Sequence, residues 1–266
     1  MFAAIDWSRP WYDAVREAAS RTDLSGSRVI ASFCVQAEAL GLRNHQGLPL
    51  RFVPQSNLPE GTAYEEFIGA TGGVPTRDNL HDFFNGLVWL TFPLIKRELN
   101  ALQAAQIALA GVGKSRGPAR DAATIFDENA ALLLVRDDEE GAALVEALRK
   151  HRWQEAFVER AEMFGRDAEV WLFGHALMEK LVAPYKAITA HTRVLMAPDS
   201  YFALPPSARR AWIDEQVAQQ LRSEGLNKAA FTPLPVLGIP GWWPQQDAGF
   251  YADASVFRPG RRPAQA

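Results

Sequence analysis

Apolar residues recur at helical spacing in the middle of the chain. After Asn79 the apolar positions are three or four residues apart: Leu80, Phe83, Phe84, Leu87 and Val88. This spacing predicts the buried face of an α-helix, which Asp78 or Asn79 can cap at its first turn. Pro93 then opens a second predicted helix, which runs to about Ala110 and is closed by two glycines.

Similar patterns predict helices over much of the remaining chain. These helices are expected over residues 10–20, 28–40, 63–69, 139–150, 153–166, 169–182 and 205–223. Strands are expected over residues 46–54, 122–126, 131–135 and 188–196. The predicted strands over residues 122–126 and 131–135 lie on either side of Asp127-Glu-Asn and together predict a β-hairpin. Residues 71–76 predict a turn.

The C-terminal segment has a different composition. Residues 231–257 are rich in proline, glycine and tryptophan, which excludes a long helix or a central strand. The segment is also too apolar to stay in water, so we expect it to lie extended over the domain surface. Its aromatic anchors would be Trp242, Trp243, Phe250 and Tyr251. Residues 258–266 are expected to be frayed.

These elements predict one compact α+β domain over residues 1–266, mostly helical, with a small β-hairpin or sheet. With 48% hydrophobic residues, the chain can bury a full core. The net charge of −3 argues against a nucleic-acid binder, and the single cysteine, Cys34, excludes an internal disulfide. No stretch has the roughly 20 apolar residues of a membrane span, and the N-terminus lacks a signal-peptide pattern. We therefore expect a cytoplasmic protein.

Two short motifs in the middle of the chain match catalytic patterns in letters only. Residues 108–115 match a relaxed P-loop, and Gly113-Lys-Ser-Arg-Gly matches the nucleophile elbow of serine hydrolases. Both motifs need a strand before the loop and a helix after it. Here a long predicted helix comes first, and Gly-Pro follows, which we interpret as blocking helix initiation. We expect neither a nucleotide at residues 108–115 nor a nucleophilic Ser115.

Four stretches are long and specific enough to indicate a family. They are Thr76-Arg-Asp-Asn-Leu-His-Asp-Phe-Phe-Asn-Gly-Leu-Val-Trp-Leu-Thr-Phe-Pro, Asp121-Ala-Ala-Thr-Ile-Phe-Asp-Glu-Asn, Phe173-Gly-His-Ala-Leu-Met-Glu-Lys-Leu and Pro233-Leu-Pro-Val-Leu-Gly-Ile-Pro-Gly-Trp-Trp. With them, about residues 50–260 resemble the bacterial domain-of-unknown-function 3025 family. The resemblance implies a soluble protein of a bacterial, mainly proteobacterial, group, and it supplies no catalytic residue or cofactor.

The predicted helix after Asn79 carries a first polar cluster. His81, Asp82 and Asn85 lie on one side of this helix, and His81 and Asn85 are one turn apart. A histidine beside a carboxylate and an amide can act as a general base, or as a metal ligand whose ring a neighbour orients. The alternative interpretation is a solvated polar face.

His175 and Glu179 form a second cluster, also one helical turn apart. At this spacing they can share a proton or a divalent metal, although the two-histidine helix motif of zinc proteases is absent. A glycine inside a helix costs roughly 1 kcal/mol relative to alanine, so Gly174 is expected to allow a close approach between helices. The alternative interpretation is an ordinary surface pair.

A third group contains the carboxylates Asp121, Asp127 and Glu128. Carboxylates can bind a divalent cation, but the hairpin interpretation favours Asp127 as a turn residue. Of the other histidines, His45 and His151 are expected at the surface and His191 at a strand end.

These clusters leave two classes of function open. In the first, a hydrolase site forms where the first two clusters meet in one cleft, with a divalent metal as its candidate cofactor. Its candidate catalytic residues are His81, Asp82, Asn85, His175 and Glu179. The hydrolase hypothesis depends on the expectation that His81 and His175, which are far apart in sequence, line one pocket.

A narrower form of the first class resembles the His-metal finger nucleases, with Asn100 as a metal ligand. The second class is a non-catalytic binding or assembly protein. Its contact surface would be the aromatic C-terminal segment with Trp242 and Trp243, because tryptophan is favoured at interfaces.

Residues 108–115 are predicted to bind no nucleotide. ATP with magnesium should therefore leave the melting temperature unchanged, since only a ligand of the folded state raises it. Differential scanning fluorimetry with and without ATP and magnesium checks this. A rise in melting temperature that Lys114→Ala abolishes is the contradicting result.

Overall fold

The computed structural model describes residues 1–25, 28–110 and 117–260. The α-helices there are α1 (Asp13–Ser20), α2 (Arg28–Ala39), α3 (Tyr64–Thr71), α4 (Leu80–Thr91), α5 (Pro93–Ala110), α6 (Pro118–Asn129), α7 (Glu139–Arg149), α8 (His175–Lys180), α9 (Asp199–Phe202), α10 (Pro206–Glu224) and α11 (Ala248–Tyr251). The strands are β1 (Arg51–Pro54), β2 (Gly73–Thr76), β3 (Ala130–Arg136), β4 (Ala168–Leu172), β5 (Thr189–Ala197) and β6 (Thr232–Pro235). The fold is α+β and mostly helical, as the sequence predicts. None of the described helices is both long and apolar enough to cross a membrane.

Strand β3 lies inside the larger sheet, whose strand order is β4-β3-β5-β6. It pairs antiparallel with β4 and parallel with β5, and β6 closes the sheet antiparallel to β5. Residues 130–135 are all buried, which explains why this strand is a continuous apolar run and not an alternating one. The strand predicted over residues 188–196 is β5.

The hairpin predicted around Asp127 is wrong. Residues 118–129 form α6, which passes directly into β3 at Ala130. Ala122, Ala123 and Phe126 are buried on one face of this helix, and a run this short does not distinguish a strand from a buried helix. As a result Asp127 lies in the last turn of a helix, where it is buried.

The helices predicted over residues 153–166 and 169–182 are only partly correct. Short helical turns occupy Glu155–Glu159 and Ala161–Met163 of the first range. The second range begins with the strand β4, and the short helix α8 follows it. The apolar spacing of residues 168–172 favours a helix, but the pairing of β4 with β3 in the sheet outweighs this local preference. Gly174 therefore lies at the N-terminal cap of α8 and not inside a helix.

Residues 71–76 contain a strand as well as the predicted turn. Gly72 ends α3 with a φ of 70°, and the next four residues, β2, pair in parallel with β1. A Cβ at Gly72 would stand 2.3 Å from the carbonyl oxygen of Pro49. The chain can turn this tightly only with glycine at that position.

Helix α4 is the central helix of the fold. Asn79 caps it as predicted, since its side chain accepts a hydrogen bond from the backbone N–H of Asp82 at 2.7 Å. Every residue from Asp82 to Thr91 is buried. A Cβ at Gly86 would lie 2.1 Å from the ring of Phe33, so glycine lets α2 lie against α4. The interpretation of a solvated polar face is therefore wrong for Asp82 and Asn85.

The C-terminal segment packs on the domain. Thr232–Pro235 forms the edge strand β6, and Val236 and Leu237 are fully buried. Farther along, Tyr251 donates a hydrogen bond to the carbonyl of Gly238 at 2.9 Å. Residues 261–266 of the expected frayed tail lie outside the described residues.

Most of the glycine loop at residues 108–115 also lies outside the described residues. Gly117 and Pro118, which follow the loop, were expected to prevent a helix from starting there. This expectation is wrong, because Pro118 is the first residue of α6. Proline suits this position, where the missing N–H would have no intrahelical partner. The element before the loop is a helix, α5, and not the strand that both motifs need.

Truncation of Leu234 is predicted to destabilise the protein. Leu234 is fully buried where β6 meets β5, so Leu234→Ala should lower the free energy of unfolding by about 2–5 kcal/mol. Val35→Ala is the control, since Val35 is 67% exposed and its truncation should change stability little. Urea denaturation of both variants checks this. Equal effects of the two substitutions would show that the C-terminal segment is not part of the cooperative core.

Candidate functional site

A cavity of about 440 Å³ opens where α3, α4, α5, α6 and α8 come together. Its wall is polar and contains both predicted histidines. The residues lining it are Ala63, Tyr64, Glu65, Arg77, His81, Asp82, Asn85, Gln103, Ile107, Arg120, Thr124, Asp127, Glu128 and His175. Each helix thus contributes at least one side chain able to hydrogen-bond or to carry charge.

His81 and His175 meet in this cavity. Their Nε2 atoms are 3.0 Å apart, and the ring centroids are 4.5 Å apart with the rings nearly perpendicular. The expectation that the two histidines line one pocket is confirmed. Whether they are catalytic stays a prediction.

Gly174 explains how the two histidines come together. Its backbone N–H donates to the carbonyl of Ala130 at 2.8 Å. A Cβ at Gly174 would lie 2.5 Å from the Glu128 carbonyl oxygen, so any side chain would push α8 away. The predicted close approach is therefore real, but it joins the start of α8 to the junction of α6 and β3. This places His175, the first residue of α8, beside Asp127.

A carboxylate flanks each outer side of the histidine pair. Nδ1 of His81 donates to Oε2 of Glu179 at 3.0 Å, and Nδ1 of His175 lies 3.9 Å from Oδ2 of Asp127. Among the described residues that Nδ1 has no hydrogen-bond partner. Glu179 was expected to pair with His175 on its own helix, but it reaches across to His81. Spacing along one helix does not reveal this contact, because it joins two helices that are far apart in the chain.

A buried ion pair stands behind the histidines. Nζ of Lys96 lies 2.6 Å from Oδ1 of Asp127, and only 3% of Lys96 and 9% of Asp127 are exposed. Nζ also donates to Oδ1 of Asn85 at 2.9 Å and lies 5.2 Å from the ring centroid of Trp89. Lys96 was not a predicted site residue, because in the sequence it is followed directly by Arg97 and Glu98 and nothing there marks it as buried.

Asn85 forms its hydrogen bonds with Lys96 of this ion pair and with Tyr64, and not with His81. Its Oδ1 accepts from Lys96, and its Nδ2 donates to the Tyr64 hydroxyl at 2.9 Å. Burial raises the pKa of Tyr64 well above its ordinary value, so this hydroxyl stays protonated. Asn85 was predicted to orient His81, whereas here it fixes the position of the Lys96 ammonium.

Asp82 binds Arg77 and not the imidazole of His81. Its carboxylate accepts two hydrogen bonds from the Arg77 guanidinium, both at 2.9 Å, and a third from the Arg77 backbone N–H. Asp82 therefore holds the chain before α4 in place. Its predicted role beside His81 has no contact to support it.

Glu65 is a further acidic residue of the cavity that the sequence reasoning missed. Its Oε2 accepts from Nδ2 of Asn100 at 2.6 Å, and Oδ1 of Asn100 contacts Nδ1 of His45 at 2.7 Å. Burial raises the pKa of Glu65, although Lys96 acts in the opposite direction. The surface position expected for His45 is wrong, because it is partly buried in this chain of contacts.

Burial and charge separate the protonation states of the other groups. Burial lowers the pKa of His175 to about 4, so its ring is neutral near pH 7. Burial alone would raise the pKa of Asp127, but the Lys96 ammonium outweighs it and keeps that pKa below its usual value. The cavity therefore combines an ionised carboxylate, a carboxyl group of raised pKa and a neutral imidazole.

The described part of the chain gives no ready set of metal ligands. Within the described residues, no three histidine, cysteine, aspartate or glutamate side chains gather in a way that could hold a metal ion. The nuclease form of the prediction is wrong for two reasons. His81 and Asn85 lie on one continuous helix without a hairpin, and Asn100 binds Glu65 and His45.

The remaining predicted carboxylates and histidines divide between the cavity and the surface. Glu128 lines the cavity, whereas Asp121 forms an exposed ion pair with Lys228 at 3.1 Å. His191 is exposed on β5, and His151 lies against Trp153 away from the site.

Breaking the buried ion pair is predicted to be costly. Lys96→Met or Asp127→Asn should each lower the free energy of unfolding by about 3–5 kcal/mol, because the remaining group loses its partner. The double variant should lose less than the sum of the two. Urea denaturation of the four proteins checks this, with Lys150→Met as a control at an exposed ion pair that should change stability little. Additive single losses would show that the two groups are not coupled.

The low pKa of His175 predicts a loss of stability in acid. Between pH 6.5 and pH 4 the unfolded chain binds a proton at this ring and the folded chain does not. The free energy of unfolding should therefore fall as the pH falls through this window, by up to about 3 kcal/mol from this group. In His175→Gln the slope should be smaller, which denaturation at pH 7 and pH 5 measures. An unchanged slope would contradict a buried, neutral His175.

Comparison with known proteins identifies the family but no relative with an assigned role. No curated protein and no solved structure shows significant similarity to the chain. Residues 50–261 match the family described as a protein of unknown function, DUF3025. This range contains every residue of the cavity wall. The chain therefore belongs to the DUF3025 family.

Proposed function

We propose that the protein is a hydrolase in which His81 and His175 transfer protons to and from a small polar substrate in the cavity. The main support is a continuous row of contacts from Glu179 through His81 to His175. Oε2 of Glu179 lies 3.0 Å from Nδ1 of His81, and the Nε2 atoms of the two histidines are 3.0 Å apart. A histidine oriented by a carboxylate is a frequent general base, and the cavity beside it has room for a small molecule.

The number of N–H positions supports this proposal. Two neutral imidazoles carry two N–H protons, but the pair offers three positions for them. These are Nδ1 of His81 facing Glu179, the contact between the two Nε2 atoms, and Nδ1 of His175 facing Asp127. The pair can therefore take up one more proton, whose charge the flanking carboxylates stabilise. Burial lowers the pKa of His175 to about 4, so the ring of His175 stays neutral near pH 7.

Hydrolysis then needs only groups on the cavity wall and one water molecule. As the water oxygen attacks the substrate, its proton passes to the histidine pair. The bond to the leaving group breaks, and the pair returns the proton to the leaving group, which restores the starting state. Lys96 keeps Asp127 ionised and so fixes the charge beside His175 throughout.

A divalent metal is a variant of this proposal, with His81 and His175 as its candidate imidazole ligands. Metal analysis of the purified protein tests this variant. The cytoplasmic location and bacterial origin expected from the sequence also stay predictions.

The binding-protein alternative gains no support from the C-terminal aromatic residues. Trp242 and Trp243 are half-buried, and Trp242 packs against Trp11 at 6.3 Å between ring centroids. Phe250 and Tyr251 are buried. These side chains are used within the molecule, which leaves little aromatic surface for a partner.

An activity comparison tests the proposed hydrolase. We expect turnover of at least one of three probe classes: p-nitrophenyl carboxylate esters, p-nitrophenyl phosphate and aminoacyl p-nitroanilides. His81→Gln should lower kcat/KM by about 10²–10⁴-fold, since it removes the group that accepts the proton. His191→Gln is the matched control, because His191 is exposed on β5, and it should keep full activity.

Glu179→Gln separates orientation from proton acceptance. Its amide can still contact Nδ1 of His81 but no longer stabilises a charged ring, so the pH profile of kcat/KM should shift. Equal turnover by wild type and His81→Gln, or no turnover of any probe class, would contradict the proposal.

A further inference from the structure

Arg120 is an unusual member of the cavity wall. Its Nε and Nη1 atoms are buried and have no hydrogen-bond partner in the part of the chain that the structure describes. A guanidinium carries five donors and keeps its charge at any physiological pH. Buried donors without acceptors are costly, so an oxygen atom that reached them after a shift of the side chain toward the cavity would be bound favourably.

The other cationic side chains near the cavity, among the residues that the structure describes, are already paired. Arg77 forms two hydrogen bonds with the carboxylate of Asp82, and Lys96 is paired with Asp127. Arg120 forms no ion pair with any described residue. Glu65, a neighbouring carboxyl group on the wall, accepts a hydrogen bond from Asn100. Burial raises the pKa of Glu65, although the charges of Lys96 and Arg120 act in the opposite direction. Among the described residues, Nε and Nη1 of Arg120 therefore have no direct acceptor, and an anionic ligand can supply one.

We propose that Arg120 binds an anionic group of the substrate, a carboxylate or a phosphate, at the end of the cavity away from the histidine pair. The substrate of the hydrolase proposed above would then be a small organic anion, and this inference rests on that function. A guanidinium is suited to this task, because its parallel N–H groups match two oxygens of one carboxylate or phosphate.

The geometry of α6 sets the distance between the two ends. Arg120, Thr124 and Asp127 follow each other at intervals of four and three residues, and all three line the cavity. They therefore lie on one face of the helix. At 1.5 Å per residue, Arg120 and Asp127 are about 10 Å apart along the axis.

This separation defines the shape of the ligand. The anionic group would contact Arg120, the Thr124 hydroxyl would face the middle of the molecule, and the bond to be cleaved would lie at the histidine pair. The ligand therefore carries its charge several bonds away from the reacting centre. A cavity of about 440 Å³ accommodates a molecule of that size.

Anion binding to the full-length protein tests the assignment directly. Isothermal titration at constant ionic strength uses inorganic phosphate in one arm and malonate in the other, with chloride as the reference salt. We expect saturable binding of at least one anion, and Arg120→Gln should weaken it by about tenfold or more. Arg120→Lys keeps the charge but loses the two-pronged geometry, so an intermediate loss is expected. Arg149→Gln, at an exposed position on α7, should bind like wild type.

The outcomes separate this inference from the hydrolase itself. Phosphate binding without malonate binding assigns a phosphate group, and the reverse assigns a carboxylate. Equal affinity of wild type and Arg120→Gln, or no binding beyond that of chloride, overturns the role of Arg120. His81→Gln should keep the anion affinity of wild type, since His81 belongs to the other end. Failure of the hydrolase would appear in the turnover of His81→Gln and not in these titrations.

Discussion

The contact between Lys96 and Asp127 is the constraint on which the candidate site depends. Both charges are buried, and a buried ion is tolerated only when a partner and further hydrogen bonds replace its water. Lys96 meets this need through Asp127 on α6 and Asn85 on α4, so one ammonium group fixes three helices relative to each other. A hydrophobic contact would leave their rotation and register less strictly defined, because it has no direction.

The histidine pair follows from this arrangement. Asp127 is held by Lys96, and Gly174 lets α8 approach the end of α6 closely enough to place His175 beside it. His81 then contacts His175 from α4 and takes Glu179 as its outer partner. Two imidazoles thus lie between two carboxylates, with a buried cation behind them. Such an arrangement costs stability through desolvation, and this cost is typical of sites selected for chemistry and not for packing.

The sequence predicts the parts of the fold that depend on local pattern. The spacing of Leu80 to Val88 and the cap at Asn79 correctly give α4, and the glycine before His175 correctly signals a close approach. The hairpin at Asp127 failed because a short apolar run suits a strand or a buried helix equally well. The pairing of His81 with Glu179 and the role of Lys96 depend on contacts between distant helices, which spacing along one helix does not contain. The convergence of the two histidines was predictable only in outline, because both helices had to cover one core.

The proposed hydrolase requires that His81 and His175 share protons as one unit, with His175 neutral. Nitrogen-15 NMR of the imidazole rings across pH 8 to 5 measures this directly, because nitrogen shifts distinguish protonated from unprotonated ring nitrogens. We predict that the pair takes up at most one proton over this range, and that His175 keeps the signature of a neutral ring, as its pKa of about 4 requires. His175→Gln and His81→Gln assign the signals to the two rings. Two rings that titrate independently, each taking up its own proton above pH 5, would contradict the account.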